Sequence, residues 1–428
     1  MGYNAEDKYS SYSKVPYDNE PINRSSSYQK KTVKSSMGAN KFLTIVLSLV
    51  VILNIFMGVA LINLYSKTTI SGRVVNYNNY TIPVDTNSGT GGNTTELANM
   101  IAVTKARQSA VIISAGYASS LDTTIDSKAD FFNMKSHGSG VILEIDKNNG
   151  VAYIVTCYHV INGYTGQVYI MLYDSTTPLK AQTIQYSALN DIAVIKVENP
   201  QLIQSNCRAA EVADSSLVVM GETAHAVGNP LNADFRSSTG TITNPEHLVA
   251  VGSTTYRVIG TDTPINPGNS GGGLFNSKGE LIGIINAKTQ LVDIDNMAYA
   301  LPSNLAVSLA QNIIRNTYPV KADLGCTFAV KSGVVDSVVV GDRELLDYAV
   351  VITSVDSGSA ASNAGLKVND EIISFTYKNK VVDCRSQYSF ADHAFNLNVG
   401  DKVSFVVLRG GTQLVIEVTI TKVVAADR

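Results

Sequence analysis

The sequence predicts a mostly β protein, with two β-rich blocks behind a single apolar segment of membrane-spanning length. Three observations predict it. Short runs crowded with β-branched residues recur through residues 99–316, separated by Gly and Asn turns. A second set of such runs fills 320–425. Residues 42–65, FLTIVLSLVVILNIFMGVALINLY, carry no charge over 24 positions.

The first 41 residues are rich in Ser, Tyr, Asn and Lys and lack apolar periodicity, which reads as a disordered tail. They hold seven Lys or Arg against four Asp or Glu. The apolar stretch 42–65 would span about 36 Å as a helix, enough to cross a bilayer with some tilt. A buried core helix seldom runs so long without a polar face. A cleaved signal peptide would have a shorter apolar run and a small-residue cleavage site after it. Lys30, Lys31, Lys34 and Lys41 lie on the N-terminal side, whereas only Lys67 and Arg73 lie close on the other. The positive-inside rule then puts 1–41 in the cytoplasm and the rest outside, as a single-pass protein of the cell membrane. Residues 66–98, dominated by Asn, Thr and Gly, read as a flexible linker.

From 99 the strand runs begin. GVILEID and VAYIVTC flank the hairpin signal Lys147-Asn148-Asn149-Gly150, and QVYIMLY, DIAVIKV, AHAVG and ELIGIINA follow. Such spacing argues for a barrel or sandwich. Residues 303–316 instead show helical spacing, with Ser303 as a cap. The last block, 320–425, carries YAVVITSV, DEIISF, KVSFVVLRG and TQLVIEVTI and is long enough for a separate small domain.

The chain has 428 residues, 45% hydrophobic and 16% charged, with a net charge of −3. It has no basic stripe for nucleic acid. Cys157, Cys207, Cys326 and Cys384 lack the paired spacing of a zinc site and read as buried free thiols, with one or two bridges as the alternative; no metal and no cofactor are assigned.

The chemistry is carried by three places. Pro267-Gly268-Asn269-Ser270-Gly271-Gly272-Gly273 sets one serine among glycines, which leaves its hydroxyl unobstructed and lets neighbouring N–H groups converge. Alone it could also be a glycine-rich turn, the lesser of the two readings. A serine nucleophile needs a base, and His159 follows the strand that ends at Cys157. His137 is its rival, and a structural role fits either one. The base needs a carboxylate, and Asp191 opens the strand Ile192–Val197. A turn aspartate is the plainer reading of that residue. The order His, Asp, Ser, each beside a strand, is what gives the set its specificity.

Four stretches resemble the HtrA (Deg) family of serine proteases. They are Gly138-Ser139-Gly140-Val141-Ile142, Thr156-Cys157-Tyr158-His159-Val160-Ile161, Asn190-Asp191-Ile192-Ala193-Val194 and Pro264-Ile265-Asn266-Pro267-Gly268-Asn269-Ser270-Gly271-Gly272. The resemblance covers roughly 100–425. It implies a trypsin-like double β-barrel followed by a PDZ-like domain, here preceded by one transmembrane helix. It implies His159 as general base, Asp191 as its orienter and Ser270 as nucleophile. The oxyanion hole would be the N–H groups of Gly268 and Ser270, with Asn269 between them. A neutral Asn269 cannot pair with a newly cut N-terminus, so control would come from ordering of loops near 115–137, 244–256 and 287–297. Cys157 and Tyr158 depart from the family pattern and bring a thiol near the histidine.

The C-terminal block resembles a PDZ domain at Val355-Asp356-Ser357-Gly358-Ser359-Ala360-Ala361, Ala364-Gly365-Leu366 and Asn369-Asp370-Glu371-Ile372-Ile373. That implies peptide binding by strand addition, with Leu324-Gly325-Cys326 gripping a terminal carboxylate and Asp323 placing a negative charge beside it. The whole resemblance implies a homotrimer that hydrolyses unfolded or damaged proteins outside the membrane. A catalytically silent binding module acting through the C-terminal block is the other reading.

Overall fold

The structure is a computed structural model that describes residues 75–77, 80–82, 94–117, 125–164, 166–229, 235–251, 254–286, 297–315, 318–331, 336–340, 343–347 and 349–425. The expected tail 1–41 and membrane span 42–65 lie outside the described residues, as do parts of the three loops named above. Among the described residues no helix is long and apolar enough to cross a membrane. The chain forms two compact units, Met1–Gly89 and Thr90–Arg428.

In the first unit β1 (Val75–Tyr77) and β2 (Tyr80–Ile82) pair antiparallel, inside the stretch read as a linker. The second unit opens with α1 (Thr94–Arg107), a helix where only linker and strands were read. The helix is driven by tertiary packing. Ala102 and Ala106 lie one turn apart on one face and are buried, while Lys105 and Arg107 complement the negative end of the helix dipole. Lys105 also pairs with Glu211 at 2.6 Å.

Two closed barrels follow, as the resemblance implied. The first comprises β3 (Ala110–Ala115), β4 (Ser136–Asp146), β5 (Val151–Cys157), β6 (Val168–Leu172), β7 (Leu179–Ser187) and β8 (Ile192–Glu198), hydrogen-bonded in the order β3-β4-β5-β8-β7-β6. A single turn, α2 (Tyr158–Ile161), follows β5. The second comprises β9 (Thr223–Gly228), β10 (Arg236–Val251), β11 (Thr254–Thr261), β12 (Gly273–Asn276), β13 (Leu281–Ile285) and β14 (Ala298–Pro302), in the order β10-β11-β14-β13-β12-β9. Closure removes free sheet edges from both. Helix α3 (Ser303–Arg315) then crosses back. Its Ala306, Leu309, Ala310 and Ile313 join β-barrel side chains such as Ile154, Val194, Phe275 and Tyr299 in one apolar cluster.

The C-terminal block has its own core. β16 (Cys326–Val330), β19 (Val350–Val355), β20 (Glu371–Tyr377), β22 (Lys402–Arg409) and β23 (Thr412–Thr419) form a sheet in that order, with β21 (Lys380–Asp383) also pairing with β20. Alternation is plain in β22, where Val403, Phe405 and Val407 are buried. β15 (Val320–Ala322) pairs with β24 (Val423–Ala425), and β17 (Asp336–Val340) with β18 (Arg343–Asp347). Helices α4 (Ala360–Ala364) and α5 (Ser389–His393) complete the block. All four cysteines are free thiols, and three are buried.

Candidate active site

The loop into β8 makes Asp191 face inward. Asp191 takes the left-handed backbone conformation, φ +51°, which a short polar side chain tolerates better than most. Its carbonyl accepts the Tyr158 N–H at 3.1 Å, which ties that loop to the start of α2. The carboxylate then meets His159 twice. Oδ1 accepts the His159 backbone N–H at 2.9 Å, and Oδ2 lies 2.6 Å from Nδ1. The Asp191 side chain is 1% exposed and that of His159 27%. A buried carboxylate on Nδ1 fixes the tautomer, so Nε2 is left to accept a proton.

Asn286 supplies the third donor. Its Nδ2 reaches Asp191 Oδ2 at 3.0 Å, and its backbone N–H is held by Tyr299 O at 2.9 Å. Reasoning from sequence missed it, since a lone asparagine at the end of a strand carries no local signal. The rival His137 sits on β4 and pairs with Ser114 Oγ at 2.9 Å, and burial lowers its pKa.

Ser270 is held by a frame of close approaches. Gly268, φ +100°, closes a turn in which Asn269 N donates to Asn266 O at 3.1 Å. At Gly271, φ +82°, a Cβ would lie 2.2 Å from Thr156 Oγ1 and 2.3 Å from Ser139 O, so only glycine fits. Ser139 is the centre of this frame. Its N–H donates to Ser270 O at 2.8 Å, its hydroxyl to Gly268 O at 2.8 Å, and its carbonyl accepts from Thr156 Oγ1 at 2.7 Å. Its role was not read from the sequence, although its motif was. Among the described residues the N–H groups of Gly268 and Ser270 are spent on no hydrogen bond, whereas that of Asn269 is used within the turn. Backbone donors left unspent at and beside a serine suit a developing oxyanion. The Ser270 hydroxyl, in a residue 5% exposed, makes no hydrogen bond to His159 among the described residues. Such contacts tighten when substrate enters.

Cys157, buried at the end of β5, donates its thiol to Ile285 O at 3.3 Å. Its sulfur, a His159 ring nitrogen and an Asp191 oxygen lie within 4.8 Å of one another.

In the C-terminal block Leu324 is buried and its carbonyl accepts from Ala361 N at 3.0 Å. Gly325, φ +67°, packs where a Cβ would strike Ser359 Cβ at 2.3 Å. Its N–H donates to Asp323 Oδ1 at 2.9 Å, and Lys422 holds the other oxygen of that carboxylate at 2.7 Å. The N–H that would grip a terminal carboxylate is thus taken by Asp323. Cys326 is partly exposed, and burial pushes its thiol up to about 12. β16 pairs with β19 on one side, and its Phe328 ring lies 6.2 Å from Phe390 of α5. A cleft of about 610 Å³ opens between this block and the second barrel, lined by Glu246, Arg257, Val330, Arg385 and Asp392 among others.

Known proteins match both halves. Residues 138–284 match the family profile described as trypsin-like peptidase domain, and 322–420 the PDZ domain. The chain is 32% identical over 287 residues to the serine protease Do-like HtrA of Bacillus subtilis (strain 168), covering 65% of this chain and 62% of that one. It is 32% identical over 289 residues to the protein of the same name from Lactobacillus helveticus, covering 64% and 66%. These alignments span less than two thirds of either relative's length. The match to its namesake in Lactococcus lactis subsp. lactis (strain IL1403) is 31% over 312 residues, covering 69% of this chain and 73% of that one.

Proposed function

Since the chain belongs to the HtrA family of Do-like serine proteases, we propose that it is a serine endopeptidase acting through an acyl-enzyme. The observation that carries this is the buried Asp191 carboxylate bound to both the backbone N–H and Nδ1 of His159. Nε2 of His159 takes the Ser270 proton as Oγ attacks the scissile carbonyl. Asp191 stabilises the imidazolium that forms. The oxyanion rests on the N–H groups of Gly268 and Ser270. His159 then protonates the leaving amine, and a water deprotonated by the same imidazole releases the acyl group.

The substrates are unfolded or damaged polypeptides outside the membrane, with residues 42–65 as anchor and a homotrimer as the assembled form. The length and apolarity of 42–65 and the lysines before it support the anchor. The position of β16 at the edge of its sheet supports peptide binding by the C-terminal block.

Casein hydrolysis by the full chain is the test, with Ser270→Ala as control. The variant should lose activity by at least about 10³-fold. An inert wild type, across pH and with added peptides, would sink the enzyme reading and leave a silent binding module.

A further inference from the structure

We propose that Cys157, His159 and Asp191 form an inhibitory site for a thiophilic divalent cation of the zinc type. Three elements deliver the ligands: the end of β5, the first turn of α2 and the loop into β8. Thiolate, imidazole and carboxylate are the donor set that zinc takes, with a fourth position left to water.

The geometry is near what the ion needs. Zinc bonds of about 2.0–2.3 Å set ligand atoms about 3.3–3.8 Å apart in a tetrahedron. Here the three atoms lie within 4.8 Å, and the closest pair, Nδ1 and Oδ2, is 2.6 Å apart. Shifts on the order of 1 Å therefore assemble the site. The surroundings support the ligands. The Cys157 thiol gives up its contact with Ile285 O on deprotonation, and Asn286 Nδ2 holds Asp191 Oδ2. Outer hydrogen bonds of this kind fix ligand orientation.

Binding releases one proton, from the thiol, because the ligand is the thiolate. The ion takes the place of the proton on Nδ1, and that proton moves to Nε2, so the imidazole stays neutral. A histidine protonated at Nε2 cannot accept the Ser270 proton, so the base is lost while the ion stays. The inhibitory consequence rests on the peptidase reading, whereas the binding itself does not.

The binding is read first, by adding Co²⁺ to the full chain carrying Ser270→Ala. Thiolate-to-metal charge-transfer absorption should grow and saturate, and should vanish when Cys157→Ser is added. Cys157→Ala serves if the serine variant fails to fold. Zn²⁺ should then slow casein hydrolysis reversibly with chelator. The half-inhibiting concentration should rise at least about tenfold in Cys157→Ser, each protein compared with its own metal-free rate. No band, a band that survives loss of Cys157, or inhibition by Mg²⁺ equal to that by Zn²⁺ overturns the site. A Cys157-dependent band in a protein without hydrolysis supports the site and removes only the peptidase reading.

Discussion

At Asp191 a carboxylate 1% exposed is stable only because donors cover it, and three do: His159 N, His159 Nδ1 and Asn286 Nδ2. The third is the one whose loss leaves the side chains of the proposed triad intact. Asn286→Ala removes a hydrogen bond to a charged group, worth about 1.5–3 kcal/mol. It frees Asp191 to turn and spoils the aim of the imidazole. The expected result is a fall in kcat of about 10- to 100-fold with KM nearly unchanged. A rise in KM at constant kcat would show that Asn286 shapes substrate binding instead. This residue also marks where sequence reading stops. His159, Asp191 and Ser270 each sit in a short motif beside a strand, so order and context point to them. Asn286 stands 95 residues from Asp191, and only the packing of one barrel against the other brings them together. Ser139 is the intermediate case: its motif is legible, but its two hydrogen bonds to the loop that carries Ser270 are not.

Among the elements, β11 and α5 meet through charge. Arg257 of β11 pairs with Asp392 of α5 and, at 3.3 Å, with Glu246 of β10, and its guanidinium stacks 4.9 Å above the Tyr388 ring. Burial lifts Asp392 to about 6, against the pull of Arg257 and with Glu246 and Asp214 adding to the rise. A carboxyl raised in the folded state takes up its proton more readily there than in the unfolded chain. Its contribution to stability is therefore full below the ordinary value of 3.8 and is lost as pH rises through about 6. Asp392→Asn cannot titrate. Between pH 4 and 7 wild type should lose on the order of 2–3 kcal/mol relative to that variant. Thermal midpoints of the two proteins across this range check it, and parallel curves would contradict it. Neither the pair nor its burial shows in the sequence, where Arg257 and Asp392 belong to different blocks. Strands were more legible, because alternation as in β22 survives packing. Helix α1 was not, because its buried face is two alanines, too small a signal to separate from linker.

Over the whole unit Thr90–Arg428, α3 ties barrels to C-terminal block. Asn312 donates to Phe395 O at 2.8 Å and accepts the Val320 N–H at 2.9 Å, while Ser308 Oγ donates to Asp392 O. Phe395, from the C-terminal block and 3% exposed, packs in the same apolar cluster as Leu309, Ile313 and the barrel side chains. Two blocks that share a core residue and a helix are coupled in stability, because opening one strips apolar contacts from the other. The sequence places a boundary between 316 and 320, and at the level of the chain that is where the helix gives way to β15. It says nothing of how firmly the blocks are joined, since that depends on side chains about 80 residues apart, such as Asn312 and Phe395. Phe395→Ala removes a buried ring, which costs about 3–5 kcal/mol in a packed core. If the blocks are coupled, calorimetry of wild type gives one transition over this unit. The variant then melts earlier, with the barrel and C-terminal signals moving together. A variant that shifts only the C-terminal signal, leaving barrel melting where it was, would mean that Phe395 caps its own block and that the blocks unfold independently.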